Sequence, residues 1–190
     1  MRKSREETAT TRHRIVESSA REFRRRGIDG SGLTGLMAAA GLTQGGFYKH
    51  FASKAQLVGE SVAVGVDGLI TSLRARLAEV DNDSGFDTLV SGYLSQAHRD
   101  EDVGCPYAGL GSELARADGQ VRSAAVDGFE RMLGLLAEQL ADQSDACARE
   151  QALFAMCAMM GALTVSRMAE GRALSDEVLS VVGRRLRGVD

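Results

Sequence analysis

The 190-residue chain has one proline, no tryptophan, three cysteines and only 5% aromatic residues. So little proline, with hardly any alternation of β-branched or aromatic residues against polar ones, excludes a β-sandwich or barrel. Three cysteines without framework spacing exclude a disulfide-stapled secreted domain and point to a reducing cytosol. No apolar run reaches the ~18–20 residues of a membrane span. Met1-Arg2-Lys3-Ser4-Arg5-Glu6-Glu7 places no apolar segment behind its basic residues, so no secretory signal is expected and the chain is read as cytoplasmic. Catalytic signatures are missing too: there is no G-x-S-x-G elbow, phosphate loop, H-E-x-x-H or telling carboxylate pair. Gly109-Leu110-Gly111 is a fragment of a dinucleotide fingerprint that follows no strand. Cys147, Cys157 and His98 lack zinc spacing. Neither enzyme, cofactor nor metal is expected.

What remains is an all-α pattern in a chain that is 44% hydrophobic and 26% charged. The net charge of −3 conceals a division. Residues 1–60 carry eleven Lys/Arg against six Asp/Glu, a surplus of five, whereas 61–190 carry twelve against twenty, a deficit of eight. A basic head on an acidic body suits a phosphate-binding module joined to a body that does not bind phosphate. It equally suits an uneven spread of solvated charge, so a motif must decide.

Ile15, Val16, Ala20 and Phe23 fall at helical spacing between Thr8 and Arg26, and Gly27 stops that helix. A short helix is predicted over Leu33–Ala40, with Leu36, Met37 and Ala40 sharing a buried face. Gly41 ends it in a left-handed turn, and Thr43 then caps a second short helix through Phe47 and Tyr48. Ala52-Ser53-Lys54 caps a long helix reaching Val80. Asp81-Asn82-Asp83-Ser84-Gly85 reads as a surface loop, and Phe86, Leu89, Val90, Tyr93 and Leu94 form the next stripe. Further helices are predicted from Cys105-Pro106 to about Arg116, from Val121 to Ala141, from Cys147 to Met168, and from a Ser175 cap through Leu186. About nine helices result, three small ones in front and a bundle behind, without internal repeats.

Leu33 to Phe51 carries the chemistry. Two short helices about a glycine turn make a helix-turn-helix, which aims the N-terminal end of its second helix into a DNA major groove. Leu36, Leu42, Phe47 and Phe51 would lock the crossing angle against Ile15 and Phe23. Thr43, Gln44 and Gly45 then lead. Gln44 can pair with an adenine edge, and the Thr43 hydroxyl with phosphate or base. Gly45 and Gly46 would let backbone approach the duplex, while Tyr48, Lys49, His50 and Lys54 offer donors to phosphates.

Gly41-Leu42-Thr43-Gln44-Gly45-Gly46-Phe47-Tyr48-Lys49-His50-Phe51-Ala52-Ser53-Lys54 resembles the recognition-helix signature of TetR-type transcriptional regulators. The resemblance is specific over about residues 10–60 and loose beyond. It departs from the family at Gly32, where Thr or Ser usually caps the second helix, and at Met37 and Gly35. It implies a three-helix DNA-binding domain (8–54) and a divergent ligand-binding and dimerisation domain (55–190). It also implies a homodimer on a palindromic operator, repression, and release by a small molecule. Thr43, Gln44, Gly45, Tyr48 and Lys54 match positions that contact DNA.

For the body, the last two long helices are expected to pair with their two-fold mates. Leu153, Met156, Met160, Leu163 and Arg167 would form one face, with Leu179, Val182 and Leu186 on the other helix. A pocket for a hydrophobic or aromatic effector would draw on Tyr93, Tyr107, Leu110, Phe129, Met132, Phe154 and Met159, and His98 is a further polar tip. Cys105, before Pro106 at a helix N-terminus, is expected to have a lowered pKa. That opens a second reading, a thiol-based redox or electrophile-sensing repressor. A third is a helical adaptor whose basic head binds an acidic partner.

Overall fold

The structure is a computed structural model that describes residues 5–80, 84–100, 104–140 and 144–188. Among these residues it contains nine α-helices, short 3-10 segments and no strand. The expected loop at Asp81-Asn82-Asp83, and Ala141 at the expected end of a helix, lie outside the described residues.

Helix α1 (Arg5–Arg26) buries Ile15, Val16, Ala20 and Phe23 along one stripe while Arg14, Arg21, Arg25 and Arg26 are exposed. It ends at Gly27, whose φ of +76° only glycine adopts without strain. Helix α2 (Leu33–Ala39) begins after Gly32, which has no side chain to cap it. Ser31 does not substitute: its hydroxyl turns back to the Gly27 carbonyl at 2.7 Å. Burial holds α2 in place instead, since Leu36 and Met37 are at most 1% exposed. Each such side chain contributes roughly 1.5–3 kcal/mol on leaving water.

Gly41 makes the sharp turn with φ +70°. An α-helix was expected next, but Gln44–Lys49 is a 3-10 helix. Gly45 and Gly46 each cost ~1 kcal/mol in an α-helix, and the Thr43 hydroxyl makes no capping bond among the described residues. The tighter winding secures its ends with backbone bonds from Gly46 N–H to Thr43 O (3.0 Å) and His50 N–H to Phe47 O (2.9 Å).

Helix α3 (Lys54–Leu77) starts where its cap was read. Ser53 Oγ accepts from Gln56 N–H at 3.1 Å, and Gln56 Oε1 accepts from Ala52 N–H at 2.8 Å, a reciprocal clasp. This helix packs on α1 in front and on α7 behind, so it runs from the head into the body. The body continues with α4 (Gly85–Tyr93), the unforeseen short α5 (Gln96–Asp100), α6 (Pro106–Arg116) and α7 (Gly119–Ala137). It closes with α8 (Asp145–Met168) and α9 (Ala173–Leu186). Ser175 does not cap α9. It lies inside that helix and exchanges hydroxyl-to-carbonyl bonds with Ser166 of α8, both 2.7 Å.

Candidate functional site

The corner around Gly41 is built from its core outward. Phe47 and Phe51 are at most 2% exposed and stack with ring centres 5.6 Å apart. This anchor fixes which way the 3-10 segment faces. Thr43, Gln44, Gly45, Tyr48 and Lys49 are all exposed, and Tyr48 is 73% exposed with its ring edge-on to Phe47. Gln44 Oε1 accepts from the Thr34 hydroxyl of α2 at 2.7 Å, which steadies the amide while its nitrogen still has donors to offer. A Cβ built at Gly45 meets nothing within 4 Å, whereas at Gly46 it meets Met37 Cε at 3.6 Å. Gly45 therefore keeps the outer surface low, and Gly46 faces the α2 packing.

Two of the expected phosphate donors are placed differently. Lys54 is half-buried and gives its ammonium to the Ile28 carbonyl at 2.5 Å, so it braces the turn between α1 and α2. His50 is also half-buried, with its ring tilted against Phe51. The sequence reading missed Arg12, which forms a two-pronged pair with Glu60 and lies over the Phe51 ring at 4.6 Å.

In the body, a cleft of about 280 Å³ opens between α6, α7 and α8, lined by Tyr107, Leu114, Ala125, Val126, Phe129 and Met160 among others. Of the expected pocket residues it gathers Tyr107 and Phe129, whose rings meet edge-to-face at 5.6 Å, and it recruits Met160, expected at the dimer face. The Tyr107 hydroxyl donates to the Ala125 carbonyl at 2.9 Å, and a Cβ on Gly128 would come within 2.6 Å of it. Glycine there is what lets the tyrosine seat. Tyr93, Leu110, Met132 and Met159 are packed core, each at most 3% exposed, and do not line the cleft. Phe154 is 69% exposed on the outside of α8.

Cys105 does precede α6, yet it is fully buried. Burial pushes its pKa up, outweighing hydrogen bonds from Tyr93 and nearby backbone that pull it down. This reverses the sign expected from a helix N-terminus. The Tyr93 hydroxyl donates to Cys105 Sγ at 2.8 Å, and burial, with the thiol beside it, raises the Tyr93 pKa well above its ordinary value. His98 is buried against the Tyr93 ring and donates from Nδ1 to the Tyr93 carbonyl at 2.6 Å.

The outer face of α8 also differs from expectation by a rotation. Met156, Leu163 and Leu179 are at most 5% exposed inside the chain's own core, and Arg167 Nε donates to the Arg99 carbonyl at 3.2 Å. Val182 and Leu186 of α9 are half-buried, and of the expected face only Leu153 is exposed. The exposed stripe is instead Phe154, Cys157, Gly161, Val165 and Met168, continued by Leu174 and Val181 on α9.

A buried aromatic anchor, a left-handed glycine turn and an outward polar tip together make a helix-turn-helix DNA-binding protein. Residues 15–60 match the family model for bacterial regulatory proteins of the tetR family. Residues 88–182, half of the chain, match the C-terminal domain of LmrA/YxaF-like transcriptional regulators. The chain belongs to the TetR family of bacterial transcriptional regulators, DNA-binding proteins rather than enzymes. A 58-residue stretch is 40% identical to the HTH-type transcriptional regulator TtgR of Pseudomonas putida, covering 30% of this chain and 28% of TtgR. The chain thus aligns with little more than a quarter of that curated relative's length. Among solved structures, a TetR-family regulator from Cytophaga hutchinsonii superposes with a TM-score of 0.80 at 22% identity, covering 100% of this chain and 98% of that one. AibR in complex with isovaleryl coenzyme A and operator DNA superposes with a TM-score of 0.66 at 17% identity, covering 92% and 97%. At such identities the likeness is one of fold.

Proposed function

We propose that the chain acts in the cytoplasm as a homodimeric repressor that grips two half-sites of a palindromic operator and releases them when a small effector binds. Residues 8–54 read the duplex, and residues 55–190 dimerise and bind the effector. The observation that carries the reading is the tip from Thr43 to Tyr48, exposed yet fixed by the buried Phe47 and Phe51. Gln44 supplies a base-reading amide, and Tyr48 and Lys49 supply phosphate donors.

The outer stripe of α8 supports the dimer. Phe154, Cys157, Gly161, Val165 and Met168 recur every three or four residues, the period of helix-to-helix packing. Gly161 at the middle permits close approach. The cleft supports an effector with one apolar or aromatic group, because Tyr107, Phe129, Val126 and Met160 line it and the tyrosine hydroxyl is already bonded within the chain. AibR binds isovaleryl coenzyme A; a short acyl group of that kind is a fair first probe for a cleft of this size. The ligand acts by favouring an arrangement in which the two heads no longer match the half-site spacing.

The test is selection of bound fragments from random DNA by the purified protein, followed by a screen of small molecules for release of the winning duplex. The expected winner contains an inverted repeat, is bound about 10³-fold or more above random DNA, and shows steep salt dependence. Salt-sensitive binding to every sequence alike would favour the adaptor reading. The redox alternative gains nothing from the buried, proton-retaining Cys105 thiol. Loss of DNA affinity in electrophile, abolished by Cys105→Ser, would restore it.

A further inference from the structure

The turn between α1 and α2 is held from the body as well as from the head. Glu113 of α6 reaches across to it, and its Oε1 accepts from the backbone N–H of Ile28 at 2.8 Å and of Asp29 at 3.0 Å. The carboxylate fits because Gly27 has no side chain: a Cβ there would stand 3.0 Å from both carboxylate oxygens. On the other side of the same peptide, Lys54 donates to the Ile28 carbonyl. The turn is thus clamped between the start of α3 and the last turn of α6.

These bonds run to backbone groups, so they specify a position of the head and not merely an attraction. They also cross from the part of the chain that reads DNA to the part that lines the cleft. Tyr107, Gly111, Leu114 and Ala115 face the cleft from α6, while Glu113 leaves the same helix on the side toward the head. We infer that Glu113 is a positioning residue for DNA reading: its carboxylate fixes the angle of the head on the body, and through it the separation of the two reading tips in a dimer. The inference rests on the proposed two-half-site reading and names the contact that sets the spacing.

The experiment compares the wild-type chain with Glu113→Ala, Glu113→Asp and Glu113→Gln on the selected duplex and on versions with one or two base pairs added or removed between half-sites. Wild type is expected to prefer its own spacing by about tenfold or more, since half-site separation is a rigid demand of paired heads. Glu113→Gln keeps an oxygen that can accept both bonds and should retain the preference. Glu113→Asp keeps the charge but falls one methylene short, and should flatten the preference to about threefold or less, as should Glu113→Ala. Thermal unfolding of each variant separates this from loss of fold, and Glu113→Asp serves where the alanine variant does not fold. A uniform loss of affinity at every spacing, or an unchanged preference in Glu113→Asp, overturns the inference alone. A wild-type chain with no preferred spacing overturns the two-half-site reading and this inference with it.

Discussion

Arg12 ties together three parts of the reading head that are far apart in sequence. Its guanidinium pairs with both carboxylate oxygens of Glu60 on α3, at 2.5 and 2.6 Å, lies 4.6 Å from the centre of the Phe51 ring, and donates through Nε to the His50 carbonyl at 3.2 Å. The two side chains of the pair are 35% and 33% exposed, so solvent screens them. The pair is therefore assigned about 1 kcal/mol, the upper end for exposed pairs. The cation over the ring adds about 0.5–1 kcal/mol, and the bond to His50 about 1 kcal/mol. Arg12→Ala should cost about 2–3 kcal/mol in total, which lowers Tm by roughly 5–10 °C in a chain of this length.

The assay is a double-mutant cycle of Arg12→Ala and Glu60→Ala, followed by thermal or urea unfolding and by titration of the selected duplex. Because the bridge belongs to both residues, the double variant should be more stable than the sum of the single losses predicts, by about 1 kcal/mol. DNA affinity should fall in Arg12→Ala, because the His50-Phe51 corner that ends the reading segment loses its outer support. Strict additivity of the two changes would show that the bridge carries no energy. A Tm unchanged in Arg12→Ala would refute the reasoning altogether.

On single-base variants of the selected duplex, Gln44→Ala should lose discrimination at one position by ~1–3 kcal/mol, whereas Tyr48→Ala and Lys49→Ala, at the exposed phosphate donors, should weaken binding to all variants alike. Uniform loss for all three would remove Gln44 from base reading. Burial raises the pKa of both Cys105 and Tyr93, so the folded chain holds these protons more tightly than the unfolded chain does. Their contribution to stability is whole below the unfolded thiol value of about 8.5 and is lost as pH rises beyond it, so Tm should begin to fall near pH 9. Cys105→Ser should lessen that fall; an identical decline in the variant would exclude the thiol as its source. Phe154→Ser, at a site 69% exposed, should leave the monomer fold within about 0.5 kcal/mol. The same change should weaken self-association by about tenfold or more in sedimentation, and unchanged association would move the interface off α8.

Much of the head was legible because its determinants are local. Gly27 and Gly41 stop helices where a positive φ is needed, Ser53 caps α3, and the apolar residues Ile15, Phe23, Leu36, Phe47 and Phe51 mark the buried faces. Contacts between distant residues were not legible. Arg12 and Glu60 are 48 positions apart, and Glu113 and Ile28 are 85, and no spacing rule links either pair. The sign of the Cys105 shift was misread for a related reason. The helix N-terminus is visible in Cys105-Pro106, but the depth of burial that overrides it is set by packing of the whole bundle.

The rotation of α8 shows most clearly where periodicity stops being informative. Both 153/156/160/163/167 and 154/157/161/165/168 are apolar-rich stripes at helical spacing, offset by one or two residues, so hydrophobic pattern alone cannot choose the inward one. Side-chain size could have chosen. Ala148, Ala152, Ala155 and Ala162 lie on the buried side, where neighbouring helices need room to approach, and Met156, Met159 and Leu163 fill what the alanines leave open. The core therefore takes a face that mixes small and large residues, and Phe154 and Met168 remain outside at 69% and 81% exposure. A helix so apolar on its second side is poorly matched to water. The pattern that the monomer core does not consume is the one the proposed dimer would bury, and Phe154→Ser tests it.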